Sequence, residues 1–517
     1  MASGIAGTVL ASIYLAAPVA GTDLSAQVAR ADFVRLHGLR PVDFGWYGGV
    51  FPYGYSLFTG PVDAVAGARV VGAVAAVAGA VAFADLLART RVRRPLLGGL
   101  LGAASLVFNV VSGRITFAVG LAFGLLALSV LGRSASGAAG AAGATGGRRA
   151  AVAVTLLALF SAAASPVAGV FVVIAGAALI IAGRRRDGAL LVGGATGPLL
   201  SAALVFSDGG ASPFSAQQAT IFVVFALAVV VLVPVRYRAV QAGALLTAAA
   251  VLAGHLVASP LGGNTARLPL LFAVPVVAAT AALSPPWLAG AVVSMVLWQP
   301  PVVLSDVTGA GARATQAAFF APLIRQLDRR RPLGRLEVVP LRDHWEAVDI
   351  AERVVPLARG WERQADVGRN PIFYAGPLTA ATYQRWLRQN AVAMVGVPRG
   401  QPLDPAGVRE RALVATGLPY LRLVWSTADW QLYAVQDAEP VVSRPARTLS
   451  SDPAGVTFET DGAGRLAARL RFSRWLTLSG PAGACLARSG DWTAVTVTRR
   501  GRYRISSAWN VRPGRRC

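Results

Sequence analysis

Apolar stretches long enough to cross a lipid bilayer recur through the N-terminal part of the chain, from Ile5 to about Leu304. Each holds roughly 17–22 residues, which is enough for a helix to cross a hydrocarbon core of about 30 Å. The chain is 55% hydrophobic and its mean hydropathy is +0.55, values that soluble domains rarely reach. We therefore predict a mainly α-helical, polytopic membrane protein with about eleven spanning helices.

Arginine is concentrated in every second gap between these stretches. Insertion retains basic loops on the cytoplasmic side of a membrane. The pattern thus predicts a multi-pass plasma-membrane protein with a cytoplasmic N-terminus and with everything after Asp306 outside the cell. The basic gaps hold Arg89, Arg91, Arg93 and Arg94; Arg133, Arg148 and Arg149; Arg184, Arg185 and Arg186; and Arg236 and Arg238.

The predicted spans form one membrane domain, residues 1–305, which includes an outward loop at 21–60. A Gly/Ala/Ser-rich segment at 134–147 has the composition of a flexible linker. The break at Ser165-Pro166 separates two spans, and either a simple turn or an opening for a lipid chain explains it. The spans are placed at about 5–20, 61–88, 96–112, 115–132, 150–164, 167–183, 189–206, 219–235, 239–258, 268–283 and 287–304.

The composition becomes charged, aromatic and turn-rich after Asp306. We predict an extracytoplasmic domain over 306–517, with an α/β part at 306–440 and a β-rich part at 441–517. Apolar spacing predicts a helix over 345–358, and alternation predicts strands. The strands are expected at 421–425 and 432–435, with 492–498 and 503–507 forming a hairpin or a small sandwich.

The net charge of +24 comes entirely from arginine. Much of it lies in the predicted cytoplasmic loops, where anionic lipid headgroups account for it, so no nucleic-acid partner is predicted. The two cysteines, Cys485 and Cys517, both belong to the extracytoplasmic part. A disulfide between them is the expectation there, and two free thiols are the alternative.

The loop after the first span is the richest in polar residues. Leu24, Val28, Ala31 and Arg35 share one face of a helix, which predicts an amphipathic helix at the membrane surface. Asp23, where the span meets this helix, is suited to general-base chemistry. An N-cap formed by Thr22-Asp23 is the alternative, and the two roles are compatible.

A first span, an outward Asp, a surface helix and a W-Y-G-G-x-x-P-x-x-Y loop together resemble the GT-C glycosyltransferase superfamily. The segments His344–Ala347 and Ala358–Gln364, followed by Asn370 and Tyr374, look like those of uncharacterised bacterial membrane proteins of the same kind. The resemblance covers the membrane half best.

The resemblance implies an inverting transfer of a sugar from a polyprenyl-phosphate donor to a cell-envelope glycan or glycolipid at an outward site. Asp23 would take the proton from the acceptor hydroxyl. Many such enzymes add a second carboxylate or a divalent metal. Asp32 or Asp43 would be that carboxylate here, although neither lies next to Asp23, so dependence on Mg or Mn stays open.

A leaving phosphate needs positive charge, and Arg114 and Arg267 lie in outward loops that are otherwise uncharged. A guanidinium binds phosphate oxygens through parallel hydrogen bonds. Asn264 in the Gly-Gly-Asn turn and His255 at a span end are further predicted contacts of the phosphate, and His255 is also a candidate auxiliary base. Snorkelling to lipid headgroups is the alternative for Arg114, and a structural role is the alternative for His255.

Aromatic and polar residues are candidates for binding the acceptor, because sugar rings stack on aromatic faces. Tryptophans buried in a core are the alternative. The candidates are Trp46, Tyr47, Tyr55, His344, Glu346, Trp361 and Glu362.

Two further functions remain open from the sequence. A transporter or permease for a lipid or sugar fits the number of spans, although few ionisable residues fall inside them. A non-catalytic envelope scaffold fits the large outer domain. No P-loop and no Gly-x-Ser-x-Gly motif is present, which argues against an ATP-driven pump or a serine hydrolase.

Overall fold

The computed structural model describes residues 1–135, 143–300, 303–331, 333–510 and 517. The chain divides into two compact units. Unit 1 comprises residues 1–27 and 53–310, and unit 2 comprises residues 28–52 and 311–517. The domain boundary predicted near residue 306 therefore lies close to the observed one. Residues 28–52 of the first loop, which we assigned to the membrane domain, belong to unit 2.

Unit 1 is helical, and a helix overlies each predicted span. Five helical segments are long and apolar enough to cross a membrane: 68–89, 115–133, 147–164, 185–204 and 235–256. The helices up to residue 308 are Ala2–Ala16 (α1), Leu24–His37 (α2), Thr59–Ala66 (α3), Ala68–Arg89 (α4), Pro95–Val111 (α5), Ile115–Ala135 (α6), Gly143–Ala164 (α7), Pro166–Ile181 (α8), Arg185–Leu204 (α9), Ala216–Leu232 (α10), Arg238–Leu256 (α11), Arg267–Thr280 (α12), Pro285–Trp298 (α13) and Leu304–Thr308 (α14).

Small residues let the helices of unit 1 approach closely. A Cβ on Gly98 of α5 would lie 2.5 Å from Ala279 of α12, and one on Gly120 of α6 would lie 2.5 Å from Ala168 of α8. Close packing through small residues is the usual way in which helices associate within a membrane. The composition that makes these segments apolar thus also sets their packing.

Two details of unit 1 bear on the sequence predictions. Ser165 accepts a hydrogen bond from the Ala168 N–H and Pro166 follows it, so the pair begins α8 as a capped turn. The predicted linker at 134–147 falls partly on residues 136–142, which lie outside the described residues.

The expected surface helix is largely buried within the protein. Most residues in the N-terminal two-thirds of α2 are buried, and Phe33 is fully buried. Its polar residues Arg30 and Asp32 are buried as well and pair with other charges. A helix lying flat on a membrane would expose that polar face to water, so the interfacial prediction is wrong for α2.

Unit 2 contains an α/β part and a β-sandwich, as the predicted subdivision at residue 440 anticipates. In the α/β part, β1 and β2 are parallel, β4 is antiparallel to both of its neighbours, and the strand order is β1-β2-β4-β3. The elements are Ala317–Arg330 (α15), Arg335–Val338 (β1), Glu346–Asp349 (α16), Arg363–Arg369 (α17), Ala380–Gln389 (α18), Val392–Pro398 (β2), Pro405–Val414 (α19), Leu421–Ser426 (β3) and Trp430–Val435 (β4).

The helix predicted over 345–358 is reduced to the single turn of α16. Beyond it the chain runs back to β1, where Leu357 forms a parallel bridge with Leu336 and the Ala358 N–H donates to the Leu336 carbonyl. Pairing with a buried strand therefore prevails over the helical spacing of the apolar residues.

The β-sandwich stacks a sheet of order β7-β10-β9 on a sheet of order β5-β6-β11-β8. β10 and β11, which we expected either as a hairpin or within a sandwich, lie in different sheets. Cys485 and Cys517 form a disulfide. The strands are Arg447–Asp452 (β5), Gly455–Thr460 (β6), Gly464–Arg471 (β7), Leu476–Ser479 (β8), Cys485–Ser489 (β9), Trp492–Val497 (β10) and Gly501–Ser507 (β11).

Candidate functional site

Two glycines fix the segment that carries Asp23 against the turn between α5 and α6. Gly21 has a φ of +100°, and a Cβ there would lie 2.5 Å from a backbone oxygen of α5. Gly113 has a φ of +81°, and a Cβ there would lie 2.2 Å from the Leu24 nitrogen. The Asp23 N–H donates to the Ser112 carbonyl at 3.3 Å. Only glycine fits both positions, and their close approach brings Asp23 to Arg114.

Two guanidinium groups converge on the Asp23 carboxylate. Asp23 Oδ2 lies 3.4 Å from Arg114 Nε and 3.7 Å from Arg267 Nη2. The Asp23 side chain is 34% exposed. We call these three residues, Asp23, Arg114 and Arg267, the Asp23 cluster. The sequence predicted that they would share a ligand, and the structure brings them together.

The Asp23 cluster has spare capacity to bind an anion. Each guanidinium carries five N–H donors, whereas the single carboxylate oxygen engages one nitrogen of each. Among the described residues, no second carboxylate pairs with either arginine. Asp306 also acts on Arg114 without pairing with it, but two guanidiniums share only one ion-paired carboxylate, so a phosphate between Arg114 and Arg267 would find favourable Coulomb energy.

Arg267 also contacts an aromatic pair that leads into the bundle. Its guanidinium carbon lies 5.2 Å from the centre of the Phe117 ring. Phe117 in turn meets Phe171 edge to face at 5.7 Å. The Tyr55 hydroxyl also lies near Arg267. Of the residues predicted to bind an acceptor, Tyr55 is therefore the one that the structure brings to the Asp23 cluster.

An apolar cavity of about 380 Å³ lies among α4, α6, α8, α11 and α12. Phe171 lines it, as does Leu268, which directly follows Arg267. Its lining continues along α12 to Thr280, a rise of about 18 Å. The volume is in the range of small-molecule sites. An apolar chain bound here would have its end within one residue of Arg267.

Asp306 is a carboxylate near this site that sequence reasoning missed. Its Oδ1 accepts the Thr22 N–H at 3.1 Å, and the side chain is buried. Burial raises the pKa of Asp306, while the Ser112 hydroxyl and the Thr22 N–H act in the opposite direction. In the sequence, Asp306 marks only the end of the predicted membrane domain. A lone acid directly after the last apolar stretch was the signal that could have identified it.

His255 and Asn264, the other predicted phosphate contacts, are engaged elsewhere. His255 Nδ1 lies 2.9 Å from the Phe214 carbonyl oxygen, and its ring meets the Phe214 ring edge to face. The Asn264 amide donates to the Pro260 carbonyl within its own turn. Neither is brought to the Asp23 cluster by any described contact.

The two carboxylates proposed to assist Asp23 belong to unit 2. Asp32 is buried and pairs with Arg35 and with Arg353, the latter at 2.7 Å. Asp43 accepts the Gly45 N–H at 2.7 Å and interacts with the buried Glu352. Both are thus engaged within unit 2, which corrects their assignment as partners of Asp23.

The residues around Asp23 do not fit a divalent metal. Mg²⁺ and Mn²⁺ prefer several oxygen ligands, usually more than one carboxylate. Here one carboxylate lies between two guanidiniums, whose charge would repel a cation. No group of three or more metal-ligating side chains occurs among the described residues. We therefore derive no step that needs a metal at this site.

Trp46 and Tyr47 are buried inside unit 2. Trp46 lies beneath the Arg30 guanidinium at 5.8 Å. The Tyr47 hydroxyl donates to the Gly360 carbonyl at 2.8 Å, and burial raises its pKa well above the usual value. Trp46 and Tyr47 are therefore core residues of unit 2, which is the alternative to their acceptor-binding role.

His344, Glu346, Trp361 and Glu362 are buried as well. The His344 ring stacks on Trp361 at 3.6 Å, with Nδ1 3.2 Å from Glu346 and Nε2 3.6 Å from Asp404. Burial lowers the pKa of His344, but the opposite effect of Asp404 and Glu346 is larger, so the pKa lies above its ordinary value. Glu362 pairs with Arg30 at 3.3 Å. These contacts stabilise unit 2 and leave no free face for a sugar.

A second charged group in unit 2 surrounds Arg359. Its guanidinium lies 3.1 Å from Asp366, 3.1 Å from Glu410 and 3.5 Å from Glu337, and all four side chains are buried. We call these four residues the Arg359 network. Burial, and then repulsion from Glu410, raises the pKa of Glu337 well above its usual value.

No protein-family model and no curated protein matches the chain in sequence comparisons.

Proposed function

We propose that the chain is an integral-membrane glycosyltransferase of the GT-C kind. It would move a sugar from a polyprenyl-phosphate donor to a glycan or glycolipid acceptor at the outer face of the plasma membrane. The observation that carries this proposal is the convergence of Arg114 and Arg267 on the accessible carboxylate of Asp23. The apolar cavity adds support, because Leu268, the residue after Arg267, lines it.

The donor phosphate would bind between the two arginines. Paired N–H donors match phosphate oxygens, and a partly buried site strengthens their attraction. Both arginines are more than four-fifths buried, with side chains 16% and 19% exposed. As phosphate takes over the guanidinium contacts, the Asp23 carboxylate is released to act on the acceptor.

Asp23 would then serve as the general base. Its carboxylate takes the proton of an acceptor hydroxyl, and that oxygen attacks the anomeric carbon. The bond between this carbon and the phosphate oxygen breaks, and the electron pair leaves with the polyprenyl phosphate. Arg114 and Arg267 stabilise the negative charge that develops on the leaving phosphate.

The apolar cavity would hold the first isoprene units of the donor. Its lining is formed by side chains such as Phe83, Leu121, Phe171 and Phe272. Each methylene moved from water into such surroundings contributes about 0.8 kcal/mol. Leu268, which lines the cavity, directly follows Arg267, so one lipid could place its phosphate at the arginines and its chain in the cavity.

The proposed topology follows the arginine pattern. Eleven spans would place the N-terminus in the cytoplasm, and the Asp23 cluster and unit 2 outside. The basic turns after α4, α6 and α8 and before α11 would then be cytoplasmic. Labelling single cysteines with a membrane-impermeant reagent tests this. A cysteine at Gly38 should be labelled in intact cells, and one at Arg185 should be labelled only after lysis.

The decisive experiment is transfer by the Asp23→Asn variant. The amide keeps the shape but does not accept the proton, so we expect the turnover of a polyprenyl-phosphate sugar to fall at least about a thousandfold. The matched control is Asp187→Asn, which removes another partly exposed, arginine-paired carboxylate from unit 1. Unchanged transfer by Asp23→Asn, in protein with a wild-type unfolding midpoint, would falsify the proposal.

A lipid-handling permease is the second candidate, and the apolar cavity is the observation that favours it. The cavity lining runs along α12 from Leu268 to Thr280, as a path for a lipid chain would. Proteoliposomes separate the two functions. Movement of a labelled polyprenyl phosphate between leaflets, with no sugar transfer and no effect of Asp23→Asn, would favour the permease.

A further inference from the structure

The positive charge of the C-terminal part is concentrated in the β-sandwich. Residues 441–517 contain 14 arginines and 4 acidic residues, a net charge of +10. Residues 311–440 contain 17 arginines and 13 acidic residues, a net charge of +4 over a longer segment. The sandwich therefore carries the larger excess of positive charge, in the shorter of the two segments.

Four arginines of this surplus lie at one end of the sandwich. Arg499 and Arg500 form the turn between β10 and β11, and Arg502 follows at the start of β11. Arg465 pairs across β7 and β10 with Thr496, three residues before that turn. We call Arg465, Arg499, Arg500 and Arg502 the arginine ridge. All four are exposed, and none pairs with a carboxylate among the described residues.

The turn that presents the ridge is well anchored. The Tyr503 hydroxyl donates to the Arg499 carbonyl at 2.8 Å, and the Thr498 hydroxyl donates to the Ala482 carbonyl at 2.8 Å. A Cβ on Gly501 would lie 2.7 Å from Pro481, so the neighbouring loop packs directly on the turn. The arginines therefore project from a fixed backbone, which reduces the entropy lost on binding.

Acidic residues near the ridge do not neutralise it. Glu459 lies opposite Arg502 in the β6–β11 pairing, but it forms its ion pair with Arg447 at 3.3 Å. Asp461 is exposed in the turn between β6 and β7. Counting these two acids and Arg447 with the ridge leaves a net charge of +3. Guanidinium groups in such an array favour a ligand with repeated anionic groups.

We propose that the arginine ridge binds an anionic polysaccharide of the cell envelope. Arg465 and Arg502 lie on the outer faces of the two sheets and Arg499 and Arg500 lie on the turn between the sheets, so the four charges run across one end of the sandwich, where a chain of anionic sugars could bind. A membrane surface is the less suitable partner, because protein segments that bind bilayers add exposed apolar anchors. Trp509 is the exposed large apolar side chain that the described part of 441–517 offers. It follows the far end of β11 and donates to the Leu39 carbonyl.

Binding of fluorescent polygalacturonate to the full chain in zwitterionic nanodiscs tests this inference. We expect saturable binding that weakens roughly 50-fold between about 50 and 200 mM salt, if four arginines each contribute to counterion release. Neutral dextran should not bind. The variant Arg499→Gln/Arg500→Gln should bind at least about tenfold more weakly.

The matched control is Arg385→Gln/Arg388→Gln, which removes two exposed arginines from α18 of the same unit. Its affinity should stay within about twofold of the wild type, since surface charges outside a contact act weakly. Equal losses in both variants, or wild-type binding by the ridge variant, would overturn the proposal. Stronger ridge-dependent binding to phosphatidylglycerol vesicles or to duplex DNA would overturn it as well. Sugar transfer is not part of this assay, so its outcome is independent of the glycosyltransferase proposal.

Discussion

The Asp23 cluster and the Arg359 network use the same two kinds of side chain in opposite ways. In unit 1, two guanidiniums share one carboxylate that is 34% exposed, at distances of 3.4 and 3.7 Å. In unit 2, one guanidinium is surrounded by three carboxylates, and every member is buried. The first arrangement has unused cationic donors and access to solvent. The second has an excess of acid and no access.

This difference separates a binding site from a structural network. Within the Arg359 network, Tyr383 donates to Glu410 at 2.7 Å, and Asn370 donates to Asp366 at 2.7 Å. A ligand would have to displace bonds that the fold needs. At the Asp23 cluster, a phosphate would replace only two long ion-pair contacts. Burial and the ratio of cations to anions, and not the residue types, distinguish the two.

Removing the cation from each group should give the largest contrast. Arg359→Met leaves three buried carboxylates without a counterion, so we expect a loss of about 3–5 kcal/mol in the free energy of unfolding. The loss should be greater at pH 8 than at pH 5, because protonation relieves repulsion among the acids. Denaturant unfolding of the full chain, followed by tryptophan fluorescence, measures it.

Arg114→Met is the matched substitution in unit 1. The ion pair of Arg114 with the partly exposed Asp23 contributes little to stability, so the free energy of unfolding should change by less than about 1 kcal/mol. Equal destabilisation by both substitutions would remove the distinction between a structural network and a binding site.

The next largest effect should be on donor recognition. Arg114→Gln or Arg267→Gln removes a charged donor to the phosphate, and we expect kcat/KM for the polyprenyl-phosphate sugar to fall about 10–100-fold. Lysine at either position should restore part of this loss, because charge remains but the planar fork does not. Steady-state kinetics at fixed acceptor measures it. Unchanged kcat/KM in both glutamine variants would show that the donor phosphate does not bind at the Asp23 cluster.

A pH-dependent effect on stability is expected from the buried acid pair of unit 2. Burial, followed by repulsion from Asp43, raises the pKa of Glu352 well above its usual value. Unfolded chains lose this proton near pH 4.3, whereas the folded chain keeps it. Stability should thus fall by up to about 1.4 kcal/mol per pH unit as the pH rises above that value, until the folded group ionises.

Glu352→Gln should remove this part of the pH dependence. The quantity to compare is the difference in unfolding free energy between wild type and variant from pH 5 to pH 8. Glu459→Gln, which removes a glutamate whose side chain is 48% exposed, is the control and should leave the slope unchanged. A variant slope equal to that of the wild type would show that Glu352 is ionised in the folded protein.

Sequence reasoning was most successful where a lone charge interrupts apolar sequence. Arg114 and Arg267 stood out because nothing in the membrane pattern explained them, and they lie beside Asp23 in the structure. Helix positions in unit 1 followed from apolar runs for the same reason. Solvation by a bilayer leaves few alternatives for such segments, so composition alone constrains them strongly.

Reasoning from residue type failed where tertiary contacts decide exposure. His344, Trp361 and Glu362 have the chemistry of a sugar site, but only the fold shows that all three are buried. The same holds for α2, whose polar residues find partners more than 300 positions away, as Arg30 does in Glu362. Sequence spacing reports neighbours along one element and not pairs of this separation.

Substitutions of Asp306 should have the smallest effect on transfer, and they test one specific hydrogen bond of the site. The Asp306 carboxylate accepts the Thr22 N–H, and Thr22 is the residue directly before Asp23. Asp306→Asn keeps an oxygen that accepts this bond, so transfer should stay within about threefold of the wild type. Asp306→Ala leaves the Thr22 N–H without its partner, a cost of about 1–3 kcal/mol. Part of that cost should appear as a kcat lowered by about tenfold, with KM for the donor unchanged, because the base is displaced while the arginines remain. Equal kcat in the two variants would show that this hydrogen bond does not position Asp23.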